Sequence, residues 1–90
     1  MAQFTSQYGE ALLKAHQPNQ WAFLCEEVGL VRDEKSIRLL DQGYGELSRN
    51  GYVIQDPEQK APLYPGCVPR HLFQITDAGI LARGPIKKQA

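Results

Sequence analysis

Residues 35 to 54, KSIRLLDQGYGELSRNGYVI, constrain the fold more than any other stretch of this chain. Ile37, Leu40, Tyr44 and Leu47 recur at steps of three, four and three. At about 100° per residue those steps put all four on one side of an α-helix. Lys35, Arg38, Gln42 and Arg49 fall on the opposite side. Gly51 then ends the helix, and Tyr52, Val53 and Ile54 begin a strand. Gly43 and Gly45 each disfavour a helix interior by about 1 kcal/mol relative to alanine, so a break near Gly43 is the rival reading. The single helix is preferred because Tyr44 and Leu47 continue the stripe set by Ile37 and Leu40. A helix with one buried stripe and an outward row of Arg, Lys and Gln fits a nucleic-acid groove. It fits equally an ordinary core helix with a solvated face.

The flanking segments read as a short series of elements. Thr5 or Ser6 is expected to cap a first helix over residues 7 to 16, with Tyr8, Ala11, Leu12 and Ala15 as its apolar positions and Phe4 as a staple. Gln17-Pro18 ends it, because a residue before proline is pushed out of the α region. Asn19 caps a predicted second helix over 20 to 28, lined by Trp21, Leu24, Cys25 and Val28 and closed by Gly29. Glu26 and Glu27 then fall in its last turn, where the helix dipole disfavours negative charge. After the strand over 52 to 55, residues 56 to 69 hold Pro57, Pro62, Pro65 and Pro69 and are expected to form a long loop with no regular element. Residues 70 to 75, RHLFQI, alternate as a second strand antiparallel to the first. Thr76 caps a last short helix that Gly84-Pro85 closes. Two strands alone are marginal and must pack on the helices.

Ninety residues make one domain, 1–90, with loose termini expected at 1–6 and 85–90. The class is mainly α with a small β-hairpin, that is, α+β. Formal net charge is zero, which argues against a strongly electrostatic nucleic-acid binder but leaves room for a locally basic face. Residues 1–50 hold five basic and seven acidic side chains, and residues 51–90 hold five basic and three acidic. Any positive field therefore comes from the second half and the outward face of the 35–50 helix. Cys25 and Cys67 form no CxxC, and His16 and His71 lie far apart, so no metal or other cofactor is expected. The start, MAQFTSQYGE, has no basic segment followed by an apolar run, and no apolar run approaches a membrane span. A cytoplasmic location with reduced thiols is expected, with no membrane partner. There is no phosphate-cradling glycine loop, nucleophile elbow or HExxH, so an enzyme is not expected.

The order helix, helix, helix, strand, long loop, strand, helix resembles the winged-helix branch of the helix-turn-helix DNA-binding superfamily. LCEEVGL, residues 24–30, resembles the first helix and turn of that motif. LSRNGYVIQ, residues 47–55, is similar to a recognition helix entering the wing. FQITDAGILAR, residues 73–83, resembles the second wing strand running into the next helix. In small bacterial regulators of the MarR and PadR kind that junction reads apolar, Thr, two residues, Gly; here it is Ile75, Thr76, Asp77, Ala78, Gly79. The resemblance covers residues 8–84. It departs in a turn before the third helix that is two residues longer than the tight form and in the proline-rich wing loop, and the long C-terminal dimerisation helix of those regulators is not expected.

The resemblance implies a three-helix winged helix-turn-helix with a two-stranded wing. It also implies transcription regulation by binding double-stranded DNA, as a homodimer. Its helix 35–50 would enter the major groove, with Lys35, Ser36, Arg38 and Gln42 near base edges and Arg49 near phosphate. Arg suits guanine and Gln suits adenine for geometric reasons. Lys60 and Arg70 would contact DNA from the wing. Glu46 points outward on this reading and would repel phosphate; Leu39 is also outward. The alternative is a winged-helix scaffold for protein–protein contact, an interaction module or inhibitor of phage or mobile-element type, using the 56–69 loop. Zero net charge and the proline-rich loop motivate it.

Overall fold

The computed structural model describes residues 4–84. Five elements of regular structure and one 3-10 turn follow in order: α1 (Gly9–Ala15), the 3-10 turn Glu26–Val28, α2 (Glu34–Arg49), β1 (Val53–Ala61), β2 (Arg70–Ile75) and α3 (Asp77–Arg83). The class is α+β, with three α-helices and a two-stranded antiparallel hairpin. The expectation of loose ends lies outside the described residues for 1–3 and 85–90.

The central helix forms as its stripe predicts, without a break. Asp33 is its N-cap, and its carboxylate accepts the Ser36 N–H at 2.8 Å. Ile37, Leu40, Tyr44 and Leu47 are all buried. The helix ends in a Schellman arrangement: Tyr52 N–H donates to Leu47 O and Gly51 N–H to Ser48 O, with Gly51 at φ 75°. Gly43 is explained by packing. A Cβ there would lie 2.8 Å from Leu12 Cδ1 and 3.3 Å from both Gly9 N and Tyr8 C, so α1 crosses α2 where a side chain has no room.

Helix α1 is shorter than predicted, and its entry differs. No side chain caps its N-terminus. Thr5 and Ser6 instead bind Glu46 of α2, which accepts both backbone N–H groups and both hydroxyls, at 2.6 to 3.1 Å. Glu46 is therefore only 5% exposed, where the helical wheel alone puts it outward. The wheel cannot see the segment that crosses over it. Phe4 lies against Gly9 at the start of α1 and packs edge-on to Tyr52, ring centroids 6.3 Å apart.

The Glu46 carboxyl is held down to about 2, first by the Ser6 hydroxyl and then by the Thr5 N–H. A carboxyl lowered in the folded state contributes stability that is complete above its unfolded value, about 4.5, and is lost as pH falls toward 2. Acid unfolding followed by circular dichroism should show a loss in that window, and Glu46→Gln should flatten it. An unchanged acid limb in the variant would contradict the clasp.

The predicted second helix, 20–28, is not formed. Asn19 turns the chain with φ 61°, and Ala22 pairs with Phe73 of β2 through two hydrogen bonds of 2.9 Å. Phe23, Leu24 and Cys25 are consecutive and all buried, a demand that an extended segment between two layers meets and a one-sided helix does not. Only Glu26–Val28 is helical, as a 3-10 turn. Glu26 and Glu27 thus lie in a first turn, where negative charge is favoured, and Glu27 accepts the Cys25 N–H at 3.1 Å.

The predicted loop also begins too early, since β1 runs on through Pro57 to Ala61. The register passes from Gln55↔Phe73 to Lys60↔His71, so β1 advances five positions against two. Pro57 sits in this bulge, where no ladder donor is needed. Asp56 supplies the missing acceptor, taking the N–H groups of Glu58 and Gln59 at 2.8 and 3.0 Å.

The core gathers on Tyr44. Its ring stacks on Phe73 at 4.2 Å and lies 4.8 Å from Phe23. Its hydroxyl accepts the Leu24 N–H at 2.9 Å, which leaves its own proton for His16 Nε2 at 2.7 Å. Thr76 caps α3 by accepting the Gly79 N–H and donates its hydroxyl proton to Gly51 O. Arg83, at the end of α3, donates to the carbonyls of Leu13 and His16 and closes the C-terminus of α1.

Candidate functional site

Helix α2 is the longest described helix, and much of its outer face stays outside the core. Glu34, Lys35, Arg38, Gln42 and Arg49 are exposed along it. Lys35 and Arg49 stand fourteen positions apart, roughly 21 Å at 1.5 Å per residue. Ser36, expected among the base-contacting residues, is only 7% exposed and turns inward beside Ile37. One residue is 100° of rotation, and Ser36 sits 100° from Lys35 toward the stripe. It cannot reach a partner on the outer face.

The two arginines nearest the middle of the face are paired within the chain. Arg38 Nη2 donates to Glu34 at 2.6 Å, one turn back, with both side chains more than two-thirds exposed. Arg70, at the start of β2, reaches Asp41 of α2 at 3.1 Å, with both partners half-buried. Burial pushes the Asp41 carboxyl up, and Arg70 pulls it back down. The first pair was legible as an i,i+4 spacing; the second joins residues 29 positions apart and was not. Of the remaining expected contacts, Gln42 is exposed mid-helix, and Lys60 is exposed on β1 opposite His71.

The chain matches no protein-family model, no curated protein and no solved structure.

The loop after β1 does not project away from α2. Leu63 is buried in the core, and Tyr64, Cys67 and Val68 border a cleft of about 340 Å³ with Ile37, Arg38 and Arg70. Val68 is 71% exposed, and Val31, just before α2, is 68% exposed. Leu39, expected on the outer face, is half-buried beside Lys35 and Arg38. Among the described residues no three His, Cys, Asp or Glu side chains gather where a metal ion could be held. None of the described helices is long and apolar enough to cross a membrane. Cys25 is buried with its thiol toward Leu30 O, and burial pushes it up, which makes it a core residue and not a nucleophile.

Proposed function

We propose that this chain is a winged-helix module that binds double-stranded DNA and regulates transcription. In this reading α2 enters the major groove and the β1–β2 hairpin is the wing. The observation that carries it is the order of extended segments around β2. Ala22, between α1 and α2, pairs with one side of β2, and β1 pairs with the other. A bridging residue after the first helix, on the side of β2 away from β1, supports this reading, as does the polar row that α2 keeps exposed. Of the second helix that the resemblance implies, only the 3-10 turn Glu26–Val28 is formed.

Lys35, Arg38, Gln42 and Arg49 supply the polar row a groove requires, and Lys60 is exposed on the hairpin. A single helix of this size reads few bases, so a homodimer in the cytoplasm is part of the reading. The test is a titration with duplex DNA at low and moderate salt. Affinity should fall as salt rises, and Arg38→Ala should weaken binding by about 1 to 3 kcal/mol. Absence of binding at low salt excludes DNA and leaves a protein-contact scaffold. The exposed Val31 and Val68 and the two internally paired arginines favour that second reading.

A further inference from the structure

We infer that Glu34 is a specificity-determining residue of the α2 face, holding Arg38 until an acceptor that offers two hydrogen bonds, as a guanine edge does, takes it away. The inference rests on the DNA-binding reading above and concerns how that face discriminates. The two ion pairs of the face differ in kind. Asp41–Arg70 joins α2 to β2 with both partners half-buried, so it belongs to the fold. Glu34–Arg38 joins two side chains one turn apart on a single helix, both largely in water. It can open by side-chain rotation alone.

Its geometry sets the exchange rule. One guanidinium nitrogen, Nη2, contacts one carboxylate oxygen of Glu34. An exposed one-point pair is weak, and a two-point acceptor outcompetes it. Guanine presents O6 and N7 side by side in the major groove, whereas an A·T pair presents no such double acceptor to arginine. A backbone phosphate can also take two hydrogen bonds from the guanidinium, but the Glu34 carboxylate repels its negative charge, whereas the uncharged guanine edge meets no such repulsion. The carboxylate therefore subtracts more from indiscriminate binding than from guanine contact. Lys35 is exposed beside it with no carboxylate partner among the described residues, and supplies attraction without discrimination.

The test compares the wild-type chain, Glu34→Gln, Arg38→Ala and the double variant. Each is titrated at low salt with a guanine-rich duplex and with an alternating adenine–thymine duplex. The wild type should prefer the guanine-rich duplex. Glu34→Gln should tighten binding to the adenine–thymine duplex by about three- to fivefold and gain less on the other, so the preference shrinks. Arg38→Ala should remove the preference, and adding Glu34→Gln to it should not change the ratio. An unchanged ratio in Glu34→Gln, or a wild-type ratio in Arg38→Ala, overturns the inference while DNA binding stands. A wild-type chain that binds neither duplex overturns both.

Discussion

Gly79→Ala is expected to lower folding stability by about 3 kcal/mol, at the upper end of the range for overpacked sites. A Cβ at this position would lie 2.2 Å from Tyr52 O, 2.8 Å from Ile75 Cγ1 and 3.0 Å from Tyr52 C. The nearest obstacle is backbone and cannot rotate away. It is also engaged, because Tyr52 O accepts the Thr76 N–H at 2.9 Å. Relief must therefore come from α3 lifting off, which would also loosen Arg83 from the end of α1. Urea titration should show a lower midpoint with an unchanged slope. Gly45→Ala is the matched control. Its Cβ would meet only the flexible Arg49 Nη1 at 3.4 Å, and it should be neutral or stabilising by up to about 1 kcal/mol. A Gly79→Ala chain that unfolds with the wild type would refute the docking of α3 on Tyr52.

Lowering the pH from 6.5 to about 4 should remove roughly 3 kcal/mol of stability through His16 alone. Burial, then the nearby Arg83 charge, lowers His16 from 6.5 to about 4, against a smaller upward pull from Glu27. The unfolded chain thus takes up a proton below pH 6.5 that the folded chain refuses until about pH 4. Stability is complete above this window and falls as pH drops through it. The hydrogen bonding of the Tyr44 hydroxyl suits the neutral ring that burial and Arg83 favour. The hydroxyl already accepts the Leu24 N–H, so its proton goes to His16 Nε2, which must be unprotonated to receive it. Chemical denaturation at a series of pH values gives the slope. His16→Gln, whose amide oxygen can still accept from Tyr44, should flatten it between 6.5 and 4. A wild-type curve flat in that range would mean that His16 is not held neutral. This limb begins near pH 6.5 and the one assigned to Glu46 near 4.5, so the upper part of the curve reports on His16 and the lower part on Glu46.

Both expectations turn on residues whose part in the core is only half visible in the chain. Tyr44 was legible as a stripe residue because helical periodicity is local, and so was the cap at Thr76, because side chain and N–H lie three residues apart. The partners of those residues were not legible. Nothing within residues 20–28 says that Ala22 will pair with Phe73, and without that partner the apolar spacing reads as a helix. The Asp56 hydrogen bonds to Glu58 and Gln59 are local, but the register with β2 that makes a bulge around Pro57 is not, so four prolines read as an end to all regular structure.

For the 35–54 stretch, the chain by itself determined the helix, its buried stripe, its stop at Gly51 and the strand beyond, because each depends on residues within a few positions. Only the tertiary structure decided which outward residues stay outward. The segment before α1 crosses over Glu46 and buries it, Gly43 receives the backbone of α1, Ser36 turns in, and β2 brings Arg70 to Asp41. A helical wheel assigns a direction to each side chain, but exposure and charge depend on what other segments lie in that direction, and those contacts form between residues far apart in the chain.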